Sequence, residues 1–549
     1  MSTAIAENPV VTGAAGPGVT PAATGVQVPA ESLAYSQQTT STAQPPRAPP
    51  GMLAEVIQLH RVKPEFCVPF NHRVLHGQFL ISNDLGDWAF LSPEEFRAFI
   101  EGRPQPGEPL YEKLAARNFI AAAVDVEAQA VRWRQKKQYL FYGPTLHTFV
   151  LTHRCNHGCQ YCHSSIVGMD RTDTDMSIEV AERAVDLAFQ TTSPGLTIEF
   201  QGGEPTANWE VLQHVVEYAR QKNALANKAL SFALVNNLSL MDDEKLEYLI
   251  DRKVQICTSL DGPEDLHNKI RIFKGGNSHQ LVTGWMKKIN QRYTDLGLDP
   301  NLYRVEALPT ITRASLTRWK DIVDQYVEVG CRAIFLRKLD PFGFAAKSAK
   351  TLGYPMEAFL EFYANAVDYI IELNRQGVQV MERHASIMLS KILADSEPNY
   401  LDLRTPGGAC IGQVGYAPDG KIFSSDEGRM VDSMGDAVFQ IGTVQDTYHH
   451  LMTNAQTRAM VMAGLNDGQP DCVSCTYKPW CGQQVEYNYK TQGSLHGRMR
   501  DSVWCKKHKS IFDYLMGKVQ IATPQDLQMF ERWTTSRQLE HFLQERAPL

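Results

Sequence analysis

From Thr145 to about residue 380 the sequence repeats one pattern, a short strand-like run followed by a helical stretch. The strand-like runs are Thr145–Leu151, Leu196–Gln201, Ala229–Val235, Lys253–Leu260, Tyr303–Thr310 and Arg332–Arg337. Helices are expected to begin near Met176, Trp209, Asp242, Gln280, Leu316 and Pro355. Strands that alternate with helices give a parallel sheet with right-handed crossovers, so the fold class is α/β. Six such units are fewer than the eight of a closed barrel. The expectation is an open or partial (β/α)6 barrel over residues 140–380.

The flanks differ in character. Residues 1–51 are rich in Ala, Pro, Thr, Gly and Ser without apolar periodicity. They bury too little surface to offset ordering entropy and are expected to be disordered. Residues 57–125 form a small unit of their own. Gly77–Phe90 reads as two strands around an Asn-Asp-Leu-Gly turn. Ser92 followed by Pro93, Glu94 and Glu95 reads as a helix start. A second helix over Pro109–Arg117 and a strand over Phe119–Val124 complete it. Beyond about Gly407 the rhythm stops and glycines and cysteines increase, which marks a C-terminal domain at about 400–520 and a helical tail at 521–549.

Composition narrows the setting. The chain has 549 residues, 43% hydrophobic and 21% charged, with a formal net charge of -7, so a nucleic-acid partner is not expected. No apolar run is long enough to span a bilayer, and no secretory signal opens the chain. Eleven cysteines without such a signal point to metal ligation in a reducing compartment, the cytoplasm, rather than to disulfides.

The chemistry is concentrated where the first strand ends. LTHRCNHGCQYCHSS places Cys155, Cys159 and Cys162 in a Cys-x3-Cys-x2-Cys loop. Three thiolates on one tight loop hold three corners of a four-iron, four-sulfur cluster and leave one iron open. An open position is what a catalytic metal needs, and the amino and carboxylate groups of S-adenosylmethionine (SAM) can fill it. The alternative is a zinc loop, with His153, His157 or His163 as fourth ligand. Polar residues also gather on the rim where barrel active sites sit. The second strand ends in Gln201-Gly202-Gly203-Glu204-Pro205. The fourth ends in Thr258-Ser259-Leu260-Asp261-Gly262-Pro263, followed by His267 and Arg271. The sixth ends in Arg337.

With a Gly-Gly-Glu-Pro turn after such a cysteine loop, the chain resembles the radical SAM superfamily, whose fold is a partial β/α barrel. The resemblance implies that Cys155, Cys159 and Cys162 ligate the SAM-cleaving cluster. It implies that Gly202, Gly203 and Glu204 contact the SAM amino group, that Tyr161 packs near adenine, and that Ser259 and Asp261 lie in the SAM pocket. Cleavage of SAM to methionine and a 5′-deoxyadenosyl radical would then start hydrogen abstraction from the substrate.

A second group, Cys472-x2-Cys475-x5-Cys481 with Cys505 beyond, supplies four thiolates for a cluster or a zinc ion. It resembles the SPASM domain of radical SAM peptide-modifying enzymes, which often carries two auxiliary clusters. In that family a cysteine stands five residues after a hairpin glycine, whereas here Gly420 is followed by Ser425 at that place. Another stands four residues after the Cys481 equivalent, where this chain has Val485. Both belong to the first auxiliary cluster, of which only Cys410 remains, so one auxiliary 4Fe-4S cluster is expected. Cys67, Cys257 and Cys331 read as core residues.

Within the superfamily the chain is most similar to the B-type radical SAM maturase of the His-Xaa-Ser system. The similarity is carried by EFQGGEPTANW, TSLDGPEDLHNKIR, AIFLRKLDPFGFA, SSDEGRM and FLISNDLGDWAFLSPEEF, across about residues 60–520. It implies a ribosomal precursor peptide with His-Xaa-Ser repeats as substrate, an oxidative crosslink as product, a second radical SAM maturase as partner, and an electron donor such as flavodoxin or ferredoxin. The unit at 57–125 resembles a PqqD-like winged-helix leader-recognition domain, with a packing extension of the barrel as alternative. Other readings are a sulfatase-maturing, formylglycine-forming enzyme, a small-molecule radical SAM enzyme, or a non-enzymatic zinc or iron–sulfur scaffold. Asp426, Glu427 and Arg429 read as a solvated or structural ion-pair group, and no catalytic base is assigned.

Overall fold

All six expected strands form, and the sequence explains where one of them breaks. Four run as Leu146–Val150, Gly195–Gln201, Ala229–Val235 and Val254–Ser259. The fifth splits into Glu306–Leu308 and Thr310–Ile311 around Pro309, which has no N–H to give to a ladder. The sixth splits into Ala333–Ile334 and Arg337–Lys338, and the second halves of the two pair with each other away from the main sheet. The expected helices are Ile178–Phe189, Trp209–Ala226, Asp243–Asp251, Ser278–Asp295, Trp319–Glu328 and Met356–Arg375. This computed structural model describes residues 65–398, 400–535 and 539–544. The expectation for residues 1–51, and the start of the 57–125 unit, lie outside the described residues.

The sheet is larger than six strands. It has ten, in the order 381–382, 333–334, 306–308, 254–259, 229–235, 195–201, 146–150, 413–416, 421–423 and 440–443. The first eight are parallel and the last two antiparallel. Met381–Glu382 is too short to be seen as a strand in sequence. Gln413–Tyr416 crosses the boundary expected near residue 400 by pairing with Leu146–Val150. Along each central strand one set of side chains, such as Leu196, Ile198 and Phe200, is fully buried under the helices. Each such burial contributes roughly 1.5–3 kcal/mol. The alternate set faces a single cavity. Thr148, Glu199, Ala233, Cys257, Leu308 and Ala333, from six consecutive strands, all line it. A flat sheet has no such focus, so the sheet curls into a trough, as a partial barrel does. Cys257 is therefore a cavity wall rather than the core residue expected, while Cys67 and Cys331 are buried.

The N-terminal unit has the expected hairpin, Gln78–Ser82 with Trp88–Leu91, turned by Asn83, whose Oδ1 accepts from Leu85 N and Asp87 N at 3.1 and 3.0 Å. Ser92 closes a capping box with Glu95 at the start of helix Pro93–Ile100. The third strand is not Phe119–Val124 but Asn71–Leu75, which pairs with Gln78–Ser82. Residues Ala121–Ala123 form a short 3-10 turn, and Ile120 makes only an isolated bridge to Cys67. Three consecutive alanines have little strand preference. The unit seats on the C-terminal region. Arg73 forms a bidentate ion pair with Asp513 at 2.6 Å, and Asn71 Nδ2 donates to the carbonyls of Val473 and Cys475. The tail holds helix Pro524–Thr534, and among the described residues no helix is long and apolar enough to cross a membrane.

Candidate active site

The cysteine loop is held at the C-terminal end of the sheet by three backbone clasps. The Gly-Gly-Glu turn packs directly beneath it, with Gly203 N donating to Thr152 O at 2.8 Å and Glu204 N to Arg154 O at 2.7 Å. A Cβ on Gly202 would lie 2.3 Å from Thr152 O, and one on Gly203 2.2 Å from Arg154 O. The glycines are thus required by close packing on the loop, a reason additional to ligand approach. A third glycine, unnoticed in the sequence, does the same on the far side. Gly343, at φ +56°, would drive a Cβ to 2.4 Å from His163 O. The third clasp is a two-stranded pairing of His157–Cys159 with Arg271–Phe273.

Cys155, Cys159 and Cys162 line a cavity of ≈ 780 Å³, together with Tyr161, Gly202, Gly203 and Ser259. N–H groups aim at two of the sulfurs. Asn237 Nδ2 lies 3.8 Å from Cys155 Sγ and Arg271 Nη1 3.8 Å from Cys159 Sγ, and His157 N donates to Cys155 Sγ at 3.4 Å. Donors directed at sulfur suit thiolates bound to a metal cluster. Burial, with Cys162 and Asp261 nearby and opposed by Arg271, pushes the free Cys159 thiol up to about 12, so cluster binding must displace protons. His157 cannot serve as a fourth ligand without rearrangement. Its Nδ1 meets Asn156 Oδ1 at 3.0 Å and its Nε2 meets Ser278 Oγ at 2.9 Å. Among the described residues, no three His, Cys, Asp or Glu side chains are grouped to hold a single metal ion.

Two of the expected SAM contacts stand behind the wall. Glu204 is fully buried, and its carboxylate accepts from Thr206 N at 3.0 Å and Asn237 N at 2.8 Å. It thereby fixes the residue that reaches Cys155 Sγ. Asp261, also fully buried, accepts from Tyr161 Oη at 2.6 Å, Arg271 Nε at 2.8 Å and Thr310 N at 2.9 Å. Asn237 is the residue among these that the sequence did not mark as a site group; it sits beyond the third strand, whose end, like that of the fifth, was left unread.

The same cavity is strongly charged. Arg337, Asp340, Asp402, Glu427, Lys507 and His384 line it. Burial, with Asp402, Asp426 and Glu486 nearby, pushes the Glu427 carboxyl up to about 8. Burial and the neighbouring Lys338 lower the Lys507 ammonium to about 8. Asp426 and Arg429 form the structural ion pair expected, at 2.8 Å with Arg429 buried. Glu427 and Asp426 both line the cavity.

Cys472, Cys475, Cys481 and Cys505 come together from two short helical turns and the start of helix Val503–Gln520. Burial and the neighbouring cysteines raise the thiol pKa of Cys472, Cys481 and Cys505, Cys481 being influenced by the other three. None of the four lines the cavity. Cys410, Ser425 and Val485 also converge, but on a filled site. Cys410 N donates to Ser424 O, and Cys410 Sγ lies 3.8 Å from Thr457 Oγ1. Ser424 and Ser425 both donate to Glu486 Oε1, at 3.0 and 2.5 Å.

Residues 149–296 match the family model of the radical SAM superfamily. The cysteine-type anaerobic sulfatase-maturating enzyme of Clostridium novyi (strain NT) is 22% identical over 375 residues, 66% of this chain and 93% of that enzyme. The antilisterial bacteriocin subtilosin biosynthesis protein AlbA of Bacillus subtilis (strain 168) is 27% identical over 203 residues, 36% of this chain and 40% of that protein. An uncharacterized protein of Methanocaldococcus jannaschii is 26% identical over 133 residues, 24% of this chain and 44% of that protein. Among solved structures, native anSMEcpe with bound AdoMet superposes with a TM-score of 0.55 at 18% identity, over 70% of this chain and 99% of that one. The cysteine rim fits the 4Fe-4S cluster and SAM that this superfamily uses, and the chain is an enzyme carrying a radical SAM domain, homologous to the anaerobic sulfatase-maturating enzymes.

Proposed function

We propose that the chain is a maturase that oxidises a ribosomal precursor peptide, with His-Xaa-Ser repeats as the substrate and a crosslink as the product. The observation that carries the reading is the cavity itself. Its lining combines three thiols, two of them with N–H donors on their sulfurs, with Arg337, Lys507, Asp402 and Glu427. Its volume falls in the range of enclosed ligand sites, about 300–1,000 Å³. SAM bound at the rim and cleaved reductively supplies a 5′-deoxyadenosyl radical that takes a hydrogen atom from the substrate. Cys155, Cys159 and Cys162 would hold the cluster. Gly202, Gly203, Tyr161 and Ser259 would bound SAM, and Glu204 and Asp261 would hold those walls in place. The charged wall would orient polar peptide groups and exclude water.

Cys472, Cys475, Cys481 and Cys505 would hold one auxiliary cluster. Among the described residues, the N-terminal sheet, ordered 71–75, 78–82 and 88–91, pairs its outer strands on one side only. An extended leader peptide would add there. A second radical SAM maturase and a flavodoxin or ferredoxin are the partners this reading requires. Anaerobic incubation with SAM, a low-potential reductant and a synthetic His-Xaa-Ser repeat peptide tests it. Loss of two hydrogens from the peptide, matched by 5′-deoxyadenosine, is expected. Turnover of a sulfatase-derived cysteine peptide to formylglycine instead would establish the second reading, which the end-to-end similarity to the C. novyi enzyme favours.

A further inference from the structure

Arg271 is placed on the cysteine loop by strand pairing. Its Cα partner across the two-stranded clasp is Cys159 itself. The side chain is only 9% exposed, and its guanidinium is divided between two acceptors. Nε donates to Asp261 Oδ2 at 2.8 Å, and Nη1 approaches Cys159 Sγ at 3.8 Å. The ring of Tyr161 lies under the guanidinium at 5.3 Å, while its hydroxyl donates to the same carboxylate. Asp261 is held in turn by Thr310 N. The cation therefore has a fixed direction, with its positive edge on the sulfur and its counter-ion on the side away from it.

We infer that Arg271 sets the reduction potential of the cluster held by Cys155, Cys159 and Cys162, with Asp261 as the opposing charge that limits its effect. Reduction adds one electron from an external donor, and no proton, to a cluster whose thiolates already carry negative charge. A cationic N–H directed at a ligand sulfur stabilises the reduced form and raises the potential. A buried carboxylate nearby stabilises the oxidised form. The two substitutions must then move the potential in opposite directions, which a purely structural role for the pair does not predict. This inference rests on the reading of the three cysteines as cluster ligands.

The test is an EPR-monitored redox titration of the reconstituted full chain without SAM. The signal of this cluster is identified by its change when SAM is added afterwards. Arg271→Gln is expected to lower the midpoint by at least 59 mV, a tenfold change for one electron. Asp261→Asn removes the charge, keeps one of the two oxygens that accept from Tyr161, Arg271 and Thr310, and is expected to raise it, by at least a twofold change in the same equilibrium. The auxiliary midpoint should stay fixed in both. Unchanged midpoints at full iron content, or shifts of the same sign, would overturn the inference. If Arg271→Gln fails to hold the cluster, the direction of the Asp261→Asn shift decides alone. Failure of the wild-type chain to bind a cluster at these cysteines would defeat the underlying reading instead.

Discussion

The two cysteine groups solve opposite problems. Cys155, Cys159 and Cys162 sit on one loop at a strand end, supply three thiols and face the cavity. Cys472, Cys475, Cys481 and Cys505 are drawn from short turns and the start of helix Val503–Gln520, supply four thiols and do not line it. Three ligands on a clasped loop leave a coordination site where a substrate can reach. Four ligands close the site and join chain segments. The loop Cys472–Cys481 receives the N-terminal sheet through Asn71 and Ser82, so the closed group stands at a junction rather than at a reaction centre.

Removing each group should therefore give different failures, and this is the largest effect expected. Cys155/Cys159/Cys162→Ala should lower the iron content from about eight to about four and abolish 5′-deoxyadenosine formation. The thermal midpoint should change little, because backbone bonds from Gly203 and Glu204 hold the loop. Replacing Cys472, Cys475, Cys481 and Cys505 by Ala should also remove about four irons, but with several kcal/mol of stability. Iron analysis and thermal unfolding on the same samples separate the two. Equal destabilisation by both would break the comparison.

A narrower cut touches only one side. Gly203→Ala forces a Cβ against Arg154 O, a backbone atom that cannot yield without moving the cysteine loop. A cost of about 1–3 kcal/mol is expected for such overpacking. SAM cleavage and the iron of the first group should fall while the second group keeps its four. Selective iron loss measured in wild type and variant checks this, and full retention of SAM cleavage would show that the loop tolerates displacement.

How much of this was legible beforehand follows from what a local pattern can carry. The four central strands and six helices emerged because periodicity is local. That Cys155, Cys159 and Cys162 would meet at one place was legible because three cysteines fall within eight residues. Asn237, Gly343 and Cys257 were not legible, because their roles arise only when distant segments meet. Gly343 packs under a loop about 180 residues earlier in the chain. Phe119–Val124 misled because its apolar character reflects burial of Phe119 and Ile120 rather than a ladder. Glu427 and Asp426 could not be told from Arg429, since only the fold brings both carboxyls to the cavity while pairing Asp426 with Arg429.

The filled site at Cys410, Ser425 and Val485 is the sharpest contrast to the closed group. Ser425 caps helix Asp426–Asp432 through Gly428 N at 3.0 Å and donates to Glu486. Ser425→Ala should cost about 1–3 kcal/mol without changing the iron content, as read by denaturant unfolding and iron analysis. Restoring thiols with Ser425→Cys and Val485→Cys should leave about eight irons, because Glu486 and Thr457 occupy the space beside Cys410. A rise toward about twelve would mean that ligands alone, and not the rebuilt packing, had been lost.

The smallest effect isolates a single proton. Glu486 is buried, and the cost of desolvating its carboxylate raises its pKa despite the hydrogen bonds from Ser425 and Ser424. A carboxyl whose folded pKa is raised binds its proton more tightly in the folded chain. Its contribution is fully present below the ordinary carboxylate pKa and is lost as the pH rises through the folded value. Both serines donate to the same oxygen, Oε1, so Glu486→Gln keeps both bonds and removes only the ionisation. The wild-type chain should lose stability between acidic and mildly alkaline pH more steeply than Glu486→Gln. The comparison is by denaturant unfolding of both proteins across that range. The difference should persist in the Cys155/Cys159/Cys162→Ala background, since the first cysteine group is not part of this site. Parallel pH profiles for the two proteins would mean that Glu486 is already matched by a charge, and that the site is a polar core rather than a plugged one.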